Sequence, residues 1–198
     1  MKDKLKVLAI CGSTRRLSSN LNLINAFADL AAEKIAVTAY GDLTSLPHFN
    51  PDLDTDVVPE EVKAFREELA KADGVLISTP EYAMGVPGTL KNALDWTVSS
   101  MDFSKKPVAL ITASLSGEKA HRSLLETLLV IESRMTADTQ LLIPFVKTKI
   151  SPEGKITDEK TLAEVNKLIT SFIELIENKP AHLLSGEVLT SSGFNSAS

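Results

Sequence analysis

The chain has little cysteine, few aromatic residues and no excess of positive charge. Its single cysteine, Cys11, excludes an intramolecular disulfide and is typical of a protein from a reducing cytoplasm. The formal net charge of −5 at pH 7 disfavours a general nucleic-acid-binding surface. No apolar run approaches the roughly 20 residues of a transmembrane helix, so we expect no membrane insertion.

Common phosphate and metal motifs are also missing from the sequence. There is no Gly-x-x-x-x-Gly-Lys-Ser/Thr pattern, so P-loop nucleotide hydrolysis has no support. The first candidate loop contains Gly12 alone and lacks the three glycines of a dinucleotide fingerprint. His48 lies in a proline-rich loop without an evident set of metal ligands, so we expect no metal site.

Strands and helices are predicted to alternate along the 198 residues. Apolar runs predict five strands, at 5–11, 35–40, 74–79, 107–112 and 140–146. Helical periodicity predicts five helices, at 19–33, 60–72, from Pro87 to about 99, 119–133 and 158–177. This alternation indicates an α/β fold, a five-stranded parallel sheet with helices on both faces. We expect one domain over 1–178 and a mobile, Ser- and Gly-rich tail over 179–198.

The segment that follows the third predicted strand is the most informative part of the chain. It reads Pro80-Glu81-Tyr82-Ala83-Met84-Gly85-Val86-Pro87-Gly88, and Pro87 is suited to open a helix. Gly85 and Gly88 are expected to permit close backbone approach or positive φ. Ligands of open α/β sheets bind at such strand ends, although an ordinary connecting loop is the plain alternative.

A hydroxyl-rich loop follows the first predicted strand and precedes the first helix. Residues 12–20 read Gly-Ser-Thr-Arg-Arg-Leu-Ser-Ser-Asn. Ser and Asn cap helices, whose N-terminal N–H groups favour anions, and Arg15 adds a full charge with bidentate donors. This pattern predicts a site for a single terminal phosphate. The alternative is a capped loop that binds nothing, which the adjacent Arg15 and Arg16 disfavour because they oppose the helix dipole.

Two patterns together resemble the NADPH-dependent FMN reductase family, which has a flavodoxin-like fold. They are Gly12-Ser13-x-Arg15-x-x-Ser18-x-Asn20 and Pro80-Glu81-Tyr82-x-x-Gly85-x-Pro87-Gly88-x-Leu90-Lys91-Asn92-Ala93-Leu94-Asp95-Trp96. The resemblance covers roughly residues 4 to 175. It implies that the FMN phosphate is held by Ser13, Arg15, Ser18, Ser19 and Asn20. It also implies that the flavin ring lies along Pro80, Glu81 and Tyr82, with Ala83, Met84 and Gly85 completing that loop.

The same resemblance implies an oxidoreductase that uses FMN as cofactor and NADPH or NADH as co-substrate. The electron acceptor would be small: a quinone, an azo compound, a metal oxyanion or free flavin. No catalytic side chain is implied, because the flavin carries the hydride chemistry. A homodimer or homotetramer is expected, with helices three and four as candidates for the interface. A third loop supplies Ser114, Ser116 and Gly117 as further flavin contacts.

One position departs from the family, and three other functions stay open. Ala83 stands where the family usually has Asn, which tolerates left-handed backbone better and offers amide hydrogen bonds. A flavin-free regulatory module is therefore one alternative. A flavodoxin-type electron carrier is another, which the Pro80-Glu81-Tyr82 segment and the helix after it disfavour. A Ser–His hydrolase built from Ser114 or Ser116 with His121 is a third, although the sequence there lacks Gly-x-Ser-x-Gly.

Overall fold

Five parallel strands form the centre of the computed structural model, which describes residues 3–151 and 153–185. The strands are β1 Leu5–Cys11, β2 Ile35–Ala39, β3 Gly74–Thr79, β4 Val108–Ala113 and β5 Gln140–Ile143. Their order in the sheet is β2-β1-β3-β4-β5, and every neighbouring pair is parallel. This is the strand order of flavodoxin-like folds, so the expected fold class is confirmed.

Helices cover both faces of the sheet. The α-helices of the described chain are α1 Ser19–Ala31, α2 Glu60–Lys71, α3 Gly88–Asp95, α4 Glu118–Val130 and α5 Glu159–Ile176. On one face, Phe27 of α1 and Phe172 of α5 meet edge to face at 6.4 Å between ring centroids. The opposite face packs against Phe65 of α2, Leu90 of α3 and Leu124 of α4. Every residue of β3 and β4 is buried, which explains why these strands read as continuous apolar runs.

Three predicted elements are at least three residues longer than the structure allows; one is α4, which ends at Val130 rather than 133. Helix α3 ends at Asp95 rather than near residue 99, and the chain continues in turns that place Met101 and Lys105 at φ 56° and 58°. Strand β5 ends at Ile143 rather than 146, because the next residue, Pro144, has no N–H to donate to the sheet and Phe145 adopts a left-handed conformation with φ 53°. Residues 146–148 then form a short 3₁₀ turn. Pro144 was a sequence signal for the end of β5, whereas the end of α3 carries neither glycine nor proline.

At the carboxyl ends of the strands, the loops after β1 and β3 lead to opposite faces of the sheet. β1 and β3 are neighbours, yet β1 leads into α1 on one face and β3 leads into α3 on the other. Such a switch point opens a crevice at the carboxyl ends of the strands. Within the described ranges, no helix combines the length and apolarity needed to cross a bilayer.

The first part of the predicted tail lies against the domain. The backbone N–H of Leu184 donates to the carbonyl of Met135 at 2.8 Å, and the Leu184 side chain packs beside the α2–α4 core. The remainder of the tail, residues 186–198, lies outside the described residues, so its predicted mobility stays a prediction.

Candidate functional site

The loop after β1 lies directly against the end of β3. The backbone N–H of Gly12 donates to the Ser78 carbonyl at 2.8 Å. A Cβ at residue 12 would sit 2.3 Å from the Thr79 hydroxyl oxygen and 2.7 Å from its Cβ, which no side chain could accommodate. Glycine at this position therefore lets the hydroxyl-rich loop cross close to the sheet edge.

The start of α1 is fixed by side-chain hydrogen bonds. Ser18 is the N-cap, and its hydroxyl accepts from the Asn20 backbone N–H at 3.2 Å. The buried Asn20 amide donates to the Ala113 carbonyl at 3.1 Å and accepts from the Ser78 hydroxyl at 3.0 Å. Asn20 thus joins α1 to the ends of β3 and β4. Besides the phosphate contact that the family pattern implies for Asn20, its side chain ties these elements together.

Ser13 and Arg15 are polar residues of the hydroxyl-rich loop that do not tie α1 to the sheet. The Ser13 hydroxyl accepts from the Arg15 N–H at 3.3 Å and lies 3.4 Å from the Tyr82 hydroxyl. The Arg15 side chain is exposed, and its guanidinium has no partner among the described residues. Hydroxyls, first-turn N–H groups and a free guanidinium together form a donor set suited to a phosphate dianion. The loop therefore fits the phosphate end of FMN.

The loop after β3 contains a tight two-residue turn. Tyr82 and Gly85 exchange backbone hydrogen bonds of 3.0 and 2.9 Å, and the residues between them, Ala83 and Met84, have φ of 48° and 61°. Both central residues are left-handed, the pattern of a type I′ turn. Positive φ thus falls on Ala83 and Met84, not on Gly85 or Gly88 as expected from the sequence. Gly88 has open space where a Cβ would stand, so its predicted close approach is also wrong.

Glu81 reaches from this turn to the start of α4. Its carboxylate accepts from the backbone N–H groups of Gly117, Lys119 and Ala120 at 3.4, 3.0 and 2.9 Å. Gly117 has φ 98° and offers no capping side chain, so Glu81 supplies the cap from another loop. The Glu81 side chain therefore positions two strand-end loops relative to each other.

A cleft of about 340 Å³ opens between these loops. Eight of the predicted site residues line it: Ser13, Arg15, Ser18, Ser19, Asn20, Pro80, Tyr82 and Ser114. Six other predicted residues are not among those lining it: Glu81, Ala83, Met84, Gly85, Ser116 and Gly117. The structure thus brings the hydroxyl-rich loop together with Pro80 and Tyr82, and places the turn and the third loop's end beside the cleft.

One wall of the cleft was not anticipated. It comes mainly from the segment after β5, and the unpredicted lining residues are Leu17, Ala113, Leu115, Phe145, Val146, Lys147 and Thr148. The rule that ligands bind at strand ends applies to β5 as well as to β1 and β3. That rule was the only available signal, because the segment contains no recognisable motif.

The charge of the cleft opposes that of the whole chain. Arg15 and Lys147 line it, and no carboxylate does so among the described residues, although the net charge is −5. Exposed apolar side chains stand at the rim, with Leu17 88% and Leu115 74% exposed. A cationic, partly apolar cleft of this size suits an aromatic ligand that carries a phosphate.

The remaining candidates do not form a second reactive centre. His121 is buried with Nδ1 2.9 Å from the Thr112 hydroxyl and Nε2 bonded to Gln140, so it does not pair with Ser114 or Ser116. Burial raises the pKa of the Cys11 thiol, which disfavours a thiolate nucleophile. Over the described ranges, no group of three or more His, Cys, Asp or Glu side chains is arranged to hold a metal ion.

Comparison with known proteins agrees with this geometry. Residues 5–147 match the NADPH-dependent FMN reductase family model. The chain is 30% identical over 184 residues to a quinone reductase of Escherichia coli (strain K12), covering 89% of this chain and 98% of that protein. It is 34% identical over 176 residues to a 2-hydroxy-1,4-benzoquinone reductase of a Burkholderia species, covering 86% and 93%.

Solved structures of similar shape include a flavoenzyme. The NAD(P)H:(acceptor) oxidoreductase FerB of Paracoccus denitrificans superposes with a TM-score of 0.73 at 27% sequence identity. The alignment covers 91% of this chain and 100% of that one.

Proposed function

This chain belongs to the NADPH-dependent FMN reductase family, and from that premise we propose that it uses FMN and NAD(P)H to reduce a quinone in the cleft described above. The observation that carries the proposal is the cleft's composition. Cationic and hydroxyl donors gather around Ser13 and Arg15, while Pro80 and Tyr82 lie on the same cleft and offer apolar and aromatic surface. The relatives support a quinone as the acceptor, because they include quinone reductases of similar length.

When bound, FMN supplies the redox chemistry, since it can take a hydride from a nicotinamide and pass the electrons to an acceptor. The protein's own residues would bind FMN and orient it. In this proposal Ser13, Arg15, Ser18 and Ser19 hold the phosphate, and the first-turn N–H groups of α1 add to that cradle. Tyr82 lies beside Ser13, so its exposed ring can flank the flavin on the side of β3. Asn20 and Glu81 hold these loops in place through backbone contacts.

The decisive experiment compares FMN with riboflavin, which lacks the phosphate. We expect Arg15→Ala to weaken FMN binding by roughly 10- to 150-fold, from about 1.5–3 kcal/mol for a charge-assisted hydrogen bond. Riboflavin affinity should stay unchanged. Arg16→Ala is the matched control, because Arg16 is equally exposed and is not among the residues that line the cleft. Equal losses for both ligands in a fluorescence titration would show that Arg15 does not contact the phosphate.

Steady-state turnover separates the proposal from its rivals. We expect the FMN-loaded protein to oxidise NADPH or NADH with a benzoquinone as acceptor. A flavodoxin-type carrier would bind FMN without oxidising nicotinamide. A flavin-free module would remain colourless and would not quench FMN fluorescence.

We also propose a cytoplasmic homodimer or homotetramer. Exposed apolar side chains near the ends of α3 and α4 support association: Val98 is 54%, Met101 61% and Val130 80% exposed. Light scattering on the purified protein measures the oligomer number. A monomer at micromolar concentration would contradict this part of the proposal.

A further inference from the structure

The wall formed by residues 145–148 contains a cation, Lys147, that lies outside the two family patterns quoted above. Lys147 is exposed and lines the same cleft as Arg15, Ser18 and Ser19. No ion pair or hydrogen bond engages its ammonium group among the described residues. A free cation on a cleft without carboxylates is suited to an anionic ligand.

Backbone hydrogen bonds fix this wall relative to the start of α1. The N–H of Val146 donates to the Ser114 carbonyl at 3.1 Å, and the side-chain amide of Asn20 donates to the preceding carbonyl, that of Ala113, at 3.1 Å. Phe145 adds a third bond, from its N–H to the Leu115 carbonyl at 3.1 Å. The helix start and the wall are therefore anchored on successive residues of one strand end.

The left-handed conformation of Phe145 explains why the chain turns at this point. β5 has already ended before Pro144, and Phe145, with φ 53°, sends the chain into the 146–148 turn. A strand that continued through residue 146, as the sequence predicted, would carry Lys147 onward along the sheet. An aromatic residue held in this conformation costs about 1–2 kcal/mol, and such strain concentrates at functional positions.

We propose that Lys147 is a second phosphate-binding cation that shares the FMN phosphate with Arg15. This inference rests on the proposed function and adds a ligand from outside the family patterns quoted above. A phosphate monoester carries up to two negative charges near neutral pH, so one guanidinium leaves charge that a second cation can balance. The ammonium of Lys147 acts as a mobile point charge, whereas Arg15 supplies directional hydrogen bonds.

The test is a comparison of FMN and riboflavin titrations across four variants. We expect Lys147→Ala to weaken FMN binding by about three- to tenfold, less than Arg15→Ala because an ammonium lacks the bidentate donors of a guanidinium. Riboflavin affinity should not change, and Lys147→Arg should retain most of the FMN affinity. Lys149→Ala is the matched control, since Lys149 is two residues further on, does not line the cleft and has its charge near Asp158.

A double variant and a salt series complete the test. If both cations contact one phosphate, the losses of Arg15→Ala and Lys147→Ala should not add. The FMN affinity of Lys147→Ala should also depend less on salt than that of the wild type. Additive losses, or equal losses for FMN and riboflavin, would overturn the assignment.

The remaining outcomes separate this inference from the proposed function. If the wild type prefers FMN over riboflavin, Arg15→Ala removes the preference and Lys147→Ala does not alter it, then only the role of Lys147 is overturned. If Lys147→Ala instead raises KM for NADPH but not for NADH, the cation serves the nucleotide's extra phosphate and the assignment to FMN is wrong. If the wild type shows no preference for FMN, the phosphate site fails and the role of Lys147 fails with it.

Discussion

The backbone conformation of the turn between Tyr82 and Gly85 lets us predict how substitutions there change the stability of the protein. Its two central residues, Ala83 and Met84, carry side chains at φ 48° and 61°. A left-handed residue with a Cβ costs roughly 1–2 kcal/mol, whereas Asn and Gly at the centre of a type I′ turn avoid much of that cost. The alanine at position 83 therefore leaves strain that the family's usual asparagine would lessen.

We expect Ala83→Asn to raise the free energy of unfolding by about 0.5–1 kcal/mol, because Asn tolerates this conformation. Met84→Gly relieves strain too, but glycine also gains entropy in the unfolded chain, about 0.4–1 kcal/mol, so its net effect should be smaller. For a protein of this length, 1 kcal/mol shifts the melting temperature by roughly 2–4 °C. Thermal unfolding of the flavin-free protein measures the shift.

The matched control is Ala64→Asn on the exposed side of α2. At this right-handed helical position, Asn replaces a better helix former and should destabilise by about 0.5 kcal/mol. The two Ala→Asn substitutions should therefore shift the melting temperature in opposite directions. If Ala83→Asn destabilises as Ala64→Asn does, the turn is not strained and the reasoning fails.

Binding measurements on the same variants separate strain from contact. Ala83 does not line the cleft, so relief of strain alone should leave the FMN dissociation constant within about twofold. A new neutral hydrogen bond to the ligand would tighten binding by roughly two- to twelvefold. Such tightening would contradict the placement of Ala83 outside the cleft.

Two further predictions concern side chains that hold the site. Glu81→Ala removes the cap of α4 and should lower the free energy of unfolding by about 1–2 kcal/mol, with Glu81→Gln losing less; urea unfolding measures both. Burial lowers the pKa of His121 below its ordinary value near 6.5, although its bond to Gln140 acts in the opposite direction. Neutral His121 therefore contributes its full stabilisation when the pH is above the ordinary pKa. This contribution is lost as the pH falls from there through the lowered pKa of the folded protein. His121→Gln should reduce the loss of stability between pH 7.5 and pH 5.5, and an equal loss in both proteins would contradict this.

The sheet and its order were predictable because they depend on burial and chain alternation. β3 and β4 are buried along their whole length, so apolar content alone identified them within one residue. Their parallel pairing follows from the helix between each pair of strands. The strand order and the crevice at the switch point then follow from the fold class that the motifs indicated.

The details of the cleft were less predictable because they depend on backbone conformation and distant contacts. Nothing in the sequence of Ala83 and Met84 indicates positive φ, since turn chemistry points to Gly85 instead. The end of β5 differs, because Pro144 marked it in the sequence and the apolar run of residues 140–146 was nevertheless extended through it. The left-handed conformation of Phe145 had no such signal, because aromatic residues favour strands. The contacts by which Asn20 and Glu81 hold loops together had no local signal, because their partners Ala113 and Ala120 lie 93 and 39 residues away in sequence.

The hydrogen bonds of Asn20 have a kinetic consequence. They join the start of α1 to Ser78 and Ala113 through contacts within the protein, so the position of the cleft floor does not depend on contacts to a ligand. A ligand that enters a preorganised site loses little affinity to ordering the protein, and its association needs no slow rearrangement. Low ordering cost and fast association both favour tight binding, so differences in FMN affinity among variants of the cleft should appear mainly in the dissociation rate.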